Sequence, residues 1–208
     1  MKPAAPGRNA PNPWGDRRRV AIGLLGGSFN PAHAGHRHVA QWAQRRLRLD
    51  QVWLMVSPGN PLKPRRGMAP FRKRLASAAA IADGRRVIAT GIEASLGTRY
   101  TVDTLALLRR RFPCARFVLV AGADILAQLP RWKAWRALAR RTPIAVLPRP
   151  GQTRRALAGQ AARALTRHRR PPGAIWRRQG GHAAWCLVPA REHAASATAI
   201  RAAAAKSG

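Results

Sequence analysis

The chain has 208 residues, enough for one α/β domain with a sizeable core and hardly enough for two. Its 39 Lys+Arg stand against 7 Asp+Glu, a formal net charge of +32, and such a surface attracts polyanions of every kind, from nucleic acid to nucleotides and phosphorylated metabolites. The acids Asp16, Asp50, Asp83, Glu93, Asp103, Asp124 and Glu192 are scattered, which excludes paired-carboxylate chemistry and an all-protein Mg²⁺ or Ca²⁺ cage.

The arginines are spread along the chain, and no basic stripe carries interleaved aromatics. A nucleic-acid-binding protein is the rival reading that the charge alone suggests; the missing stripe argues against it, and nucleic acid is expected to bind only non-specifically. Cys114 and Cys186 fall in no CxxC or zinc spacing, and read as reduced, partly buried thiols of a cytoplasmic protein. No apolar run approaches the length of a membrane span. Residues 1–19, "MKPAAPGRNAPNPWGDRRR", lack a signal-peptide core and read as a disordered, basic, proline-rich tail.

From residue 20 strand-like and helix-like segments alternate. "VAIGLL" (20–25) is a short apolar run of buried-strand type. "HRHVAQWAQRRLRL" follows, with Val39, Ala40, Ala43 and Leu47 on one helical face. Then come "QVWLMVS" (51–57) as a strand, "FRKRLASAAAIA" (71–82) as a helix and "RVIATGI" (86–92) as a strand. "TVDTLALLRRRF" (101–112) reads as a helix with Thr101 as its N-cap. "RFVLVAG" (116–122) and "PIAVLP" (143–148) are strands on either side of the helix "WKAWRALARR" (132–141), and 154–173 reads as one helix ending before Pro171. This order predicts right-handed βαβ units in a single domain over 20–208. The fold class is α/β: a Rossmann-like, doubly wound, mainly parallel sheet with helices on both faces. Ligands of such sheets bind beyond the carboxyl ends of the strands.

That is where "GGSFNPAHAGH" (26–36) lies. Gly26 and Gly27 let the backbone pass close to a ligand, with φ values that other residues resist. Gly35 precedes the expected helix start, whose free N–H groups favour phosphate. The turn is neither a Walker A loop nor GxGxxG. His33 and His36, spaced HxGH, can both face one phosphate from the turn and the first helical residue.

The stretch resembles the signature of the nucleotidyltransferase superfamily with the HxGH motif. Five further segments make the chain similar to bacterial nicotinate-nucleotide adenylyltransferases: "SPGNPLKP" (57–64), "RYTVDTL" (99–105), "AGADILAQLPRWKAW" (121–135), "VLPRPG" (146–151) and "SATAIR" (196–201). The likeness covers roughly residues 20 to 203. It implies transfer of AMP from ATP to the 5′-phosphate of nicotinate mononucleotide, with Mg²⁺ carried in on ATP. Within the superfamily the rival acceptors are other phosphomonoesters, nicotinamide mononucleotide or phosphopantetheine.

By the same matching, His33 and His36 are the implied catalytic pair. Gly26, Gly27, Ser28, Phe29, Asp124, Ser196, Thr198 and Arg201 join them in holding ATP, Asp124 through a ribose hydroxyl. Asn30, Lys63, Tyr100, Thr101 and Trp132 are implied on the mononucleotide side, Trp132 stacking on the nicotinate ring and Lys63 on phosphate. Three positions depart from the family pattern. Asn30 replaces a commoner aspartate, keeping hydrogen bonding but removing a charge. Leu62 stands where histidine often precedes the lysine, and Ala197 replaces a serine.

Overall fold

Successive residues of a strand face opposite sides, and a computed structural model shows both sides of the central strands buried. The structure describes residues 11–59, 66–195 and 197–204. Six strands form one sheet: β1 (Ala21–Gly27), β2 (Gln51–Val56), β3 (Val87–Thr90), β4 (Arg116–Gly122), β5 (Ile144–Leu147) and β6 (Trp185–Leu187). Their order is β3-β2-β1-β4-β5-β6, and every pairing is parallel.

On one face Ile22 and Leu24 of β1, Trp53 and Met55 of β2, and Phe117 and Leu119 of β4 share a core. Covering it are α4 (Thr101–Arg111), α5 (Asp124–Gln128), α6 (Trp135–Arg141), α7 (Thr153–Leu157) and α8 (Gln160–Ala164). On the other face Leu25, Leu54, Val118 and Val120 pack with α1 (Ala34–Leu47) and α2 (Phe71–Ala80). The doubly wound expectation is met. Two further helices, α3 (Ile92–Ser95) and α9 (Ala197–Ala204), lie beyond the carboxyl ends of β3 and β6 in the chain.

Several local expectations are corrected. The segment 154–173 is not one helix: it breaks between α7 and α8, where Gly159 takes an extended backbone (φ −76, ψ 169) and caps α8. Thr101 is the first residue of α4 and not its cap; that place belongs to Tyr100, whose side chain makes no capping bond. The helix read from Trp132 begins only at Trp135, after Ala134 in the left-handed region (φ 48). The expected strands do not include β6, whose three residues are too short a run to show a pattern. Cys114 is exposed, not partly buried, while Cys186 is buried and burial pushes its thiol up to about 12. Ahead of β1, the Asp16 N–H donates to the Arg111 carbonyl at 3.1 Å and Trp14 faces the Arg111 guanidinium.

Candidate active site

The strand order reverses direction at β1, which pairs with β2 on one side and β4 on the other. Helices on the two sides of that point cover opposite faces, so the strand ends there leave a crevice. A cleft of about 540 Å³ opens at this position, floored by the ends of β1 and β4.

The turn that leaves β1 is built differently from the expectation. Neither Gly26 nor Gly27 has a positive φ; the left-handed residue is Phe29, with φ 49. Phe29 is 2% exposed and sets its ring 4.7 Å from that of His36. The glycines serve by lacking a side chain. A Cβ on Gly26 would project into open space, and one on Gly27 would sit 3.2 Å from the Phe29 ring. The buried Ser28 hydroxyl in this turn has no hydrogen-bond partner among the described residues.

Both histidines take their orientation from the start of α1. His33 is the N-cap, and its Nδ1 accepts the Gly35 N–H at 3.1 Å. His36 reaches back so that its Nδ1 accepts the His33 N–H at 3.2 Å. With Nδ1 used as acceptor, each neutral ring carries its proton on Nε2. The two rings lie 3.9 Å apart, centre to centre. Burial, reinforced by the charges of Arg149 and His193, holds His33 below the ordinary imidazole pKa. Gly35 is required for close approach: a Cβ there would come within 3.0 Å of the His33 ring and 3.1 Å of the Ala195 carbonyl.

All the implied site residues that the structure describes line this one cleft. From the β1 turn come Gly26, Gly27, Ser28, Phe29 and Asn30, followed by His33 and His36. At one end stand Tyr100 and Thr101 at the start of α4, with Trp132. Asp124 opens α5 beyond β4, and Thr198 and Arg201 come from α9. Lys63, Ser196 and the departure Leu62 lie outside the described residues. Asp124 is the first residue of α5 and not its N-cap, which is Ala123; its carboxylate accepts from Gln128 at 3.2 Å and pairs with Arg149 at 3.5 Å. The Arg201 guanidinium donates to the Asn30 carbonyl at 2.5 Å.

Asn30 explains its own departure from the family pattern. Its amide nitrogen donates to the Gly67 carbonyl at 2.9 Å while its oxygen accepts the Ala69 N–H at 3.1 Å. A carboxylate could accept the second bond but could not donate the first.

Other cleft residues carry no role in the sequence reading. Arg149, in "VLPRPG" (146–151), lines the cleft. Lys133 lies over the Tyr100 ring, 4.8 Å from its centre, and pairs with Asp103 at 2.9 Å. Glu93 is buried at the cleft wall, and that burial raises its pKa. The Thr104 hydroxyl lies 3.0 Å from its carboxyl, 2.8 Å from Thr98 Oγ1 and 3.2 Å from the Tyr100 carbonyl. No local pattern marks Glu93 or His193, which reach the cleft only through the fold.

The cytidylyltransferase-like family pattern matches residues 24–203. A curated protein of Gluconobacter oxydans, described as a probable nicotinate-nucleotide adenylyltransferase, is 61% identical over 88% of this chain and 94% of its own length. The chain belongs to the nicotinate-nucleotide adenylyltransferase family. A second member so described, from Gluconacetobacter diazotrophicus, is 58% identical over 92% of this chain and 89% of its own length. Among solved structures, the nicotinic acid mononucleotide adenylyltransferase of Plasmodium falciparum complexed with NaAD superposes with a TM-score of 0.63. That match has 14% identity and spans 88% of this chain and 83% of the other, so it speaks for the shared fold. As a nicotinate-nucleotide adenylyltransferase family member the chain is a nucleotidyltransferase enzyme of NAD biosynthesis. No helix among the described residues is long and apolar enough to cross a membrane.

Proposed function

We propose that this chain transfers AMP from ATP to nicotinate mononucleotide by holding both phosphates in one cationic cleft, in the cytoplasm. The observation that carries this reading is the pair of histidines held as Nε2–H donors at the point where the strand order reverses. An oxygen of the mononucleotide 5′-phosphate attacks the α-phosphorus of ATP. A new P–O bond forms, the bond to the α–β bridging oxygen breaks, and pyrophosphate leaves with that electron pair. The attacking oxygen is already anionic, so no general base is needed.

What the protein supplies is alignment and charge neutralisation. His33 and His36 donate from Nε2 to phosphate oxygens, and Arg201 and Thr198 add a guanidinium and a hydroxyl from α9. The unpartnered Ser28 hydroxyl gains an acceptor when phosphate binds. Ser196 and Lys63 keep their implied phosphate roles as part of this proposal. Mg²⁺ supplies further neutralisation and enters on ATP. The acids at the cleft suit that arrangement: Asp124 is engaged by Arg149 and Gln128, and Glu93 is buried among threonine hydroxyls.

The nicotinate end offers no unpaired aspartate among the described residues. Asp103 is neutralised by Lys133, and Arg99 lines the same end. A carboxylate on the pyridine ring is therefore favoured over a carboxamide. Pyrophosphate release with the two mononucleotides in competition, at one ATP concentration, tests this. The expected preference for nicotinate mononucleotide is about tenfold or more in kcat/KM, about 1.4 kcal/mol. Equal use of both would overturn the substrate choice, and activity with phosphopantetheine alone would move the chain to the rival acceptor. Trp132→Ala is expected to raise KM for the mononucleotide and to spare that for ATP.

A further inference from the structure

Arg74 of α2 is 4% exposed, and none of the salt bridges among the described residues includes it. An arginine stays protonated inside a protein, so its lost hydration must be replaced by acceptors. Three carbonyls do this. Nη1 donates to Ser28 and to Ser57, each at 2.8 Å, and Nε donates to Ala69 at 2.9 Å. One buried side chain thereby joins the turn after β1, the chain leaving β2 and the approach to α2. Ser28 and Ser57 both line the cleft.

A second observation concerns what this grip holds in place. The carbonyl of Ser28 belongs to the peptide that precedes Phe29, whose φ of 49 is rare for a bulky side chain. Such a residue persists only where its surroundings over-determine it. Helix α2 holds the turn at its other end as well, since the Ser77 hydroxyl accepts the Ala32 N–H at 2.9 Å. Neither α2 residue belongs to the phosphate-binding set described above.

We propose that Arg74 is a positioning residue for adenylyl transfer: it locks the turn of residues 28–32 against the end of β2 in the shape that receives the ATP phosphates. Its buried positive charge, in no ion pair among the described residues, adds to the field that those phosphates meet. The proposal rests on the adenylyl-transfer reading, and MgATP binding measured by calorimetry without a second substrate tests it separately.

Arg74→Met is expected to keep its near-ultraviolet circular dichroism yet bind MgATP about tenfold more weakly or worse. Its turnover at saturating substrate should fall about a hundredfold, the cost of misplaced reacting groups. Arg74→Lys keeps the cation but not the fork, and its turnover should fall only about tenfold. In Arg74→Ala, guanidinium chloride at tens of millimolar should recover part of the activity, and sodium chloride at equal ionic strength should not.

A folded Arg74→Met with binding and turnover within about threefold of the wild type would overturn the proposal. So would a loss that neither lysine nor guanidinium reduces, because that is ordinary structural damage. Should Arg74→Met fail to fold, Arg74→Lys decides: wild-type turnover there removes the argument from the fork. A wild-type protein that binds MgATP but releases no pyrophosphate with any mononucleotide overturns the functional reading instead, and the comparison of ATP binding still judges Arg74.

Discussion

Replacing His36 by alanine is expected to lower turnover about a hundredfold or more while leaving the fold intact, since it removes one donor from the charge that develops at the transferring phosphorus. His33→Ala should lose as much turnover, and some stability besides, because His33 also caps α1 through the Gly35 N–H. Steady-state pyrophosphate release, with circular dichroism as the fold control, measures both. A correctly folded His36→Ala protein with wild-type turnover would refute the catalytic role.

The same geometry sets an expected pH profile. Burial first, and then the charges of Arg149 and His193, depress the His33 pKa. The unfolded chain therefore takes up that proton more readily than the folded one. The stability tied to neutral His33 is whole above the unfolded pKa and is lost as pH falls through the folded one. A proton added at Nδ1 would also break the cap. Activity carried by the neutral ring should thus stay level from pH 8 to about 6.5, the unperturbed imidazole value, and decline below it. Turnover that climbs steadily as pH drops through that range would show that the imidazolium form does the work.

The largest expected effect on stability lies away from the site, at Trp53. It is completely buried, with the rings of Phe112 and Phe117 edge-on at 5.5 and 5.9 Å. Its indole N–H donates to Gln51 at 3.0 Å. Trp53→Ala removes the ring contacts, leaves a cavity and strands the Gln51 acceptor. The expected cost is about 3–5 kcal/mol, a large share of the roughly 5–15 kcal/mol that holds a typical domain folded. Guanidinium chloride denaturation at a fixed temperature gives the number. A loss below about 1 kcal/mol would mean that the core closes over the gap.

What was legible in the sequence follows the range of the forces involved. The central strands were readable because buried parallel strands are continuous apolar runs, as "QVWLMV" shows in β2. Helix α1 was readable from Ala40, Ala43 and Leu47, which recur at helical spacing and are buried. The site turn was found because glycines and histidines crowd one strand end. Its left-handed backbone belongs to the buried Phe29 and not to a glycine, which no local pattern reveals. The break at Gly159 was hidden by an alanine- and arginine-rich composition that suits a helix on either side of it. Nothing in the sequence sets Arg74 apart from its neighbours Arg72 and Lys73. Only the fold brings its three carbonyl partners, the most distant 46 residues away in sequence, around a single guanidinium.

The bond between Arg201 and the Asn30 carbonyl spans 171 residues of chain. It joins α9 to the turn that leaves the first strand, and so it bears on the order of events during synthesis. During synthesis the residues of β1 emerge long before those of α9. A contact this remote in sequence also costs more chain entropy to close than a local one. Until α9 is made, the turn lacks the donor that Arg201 gives to the Asn30 carbonyl. The lining of the cleft, to which Thr198 and Arg201 belong, is therefore complete only when almost the whole of the described chain has been synthesised.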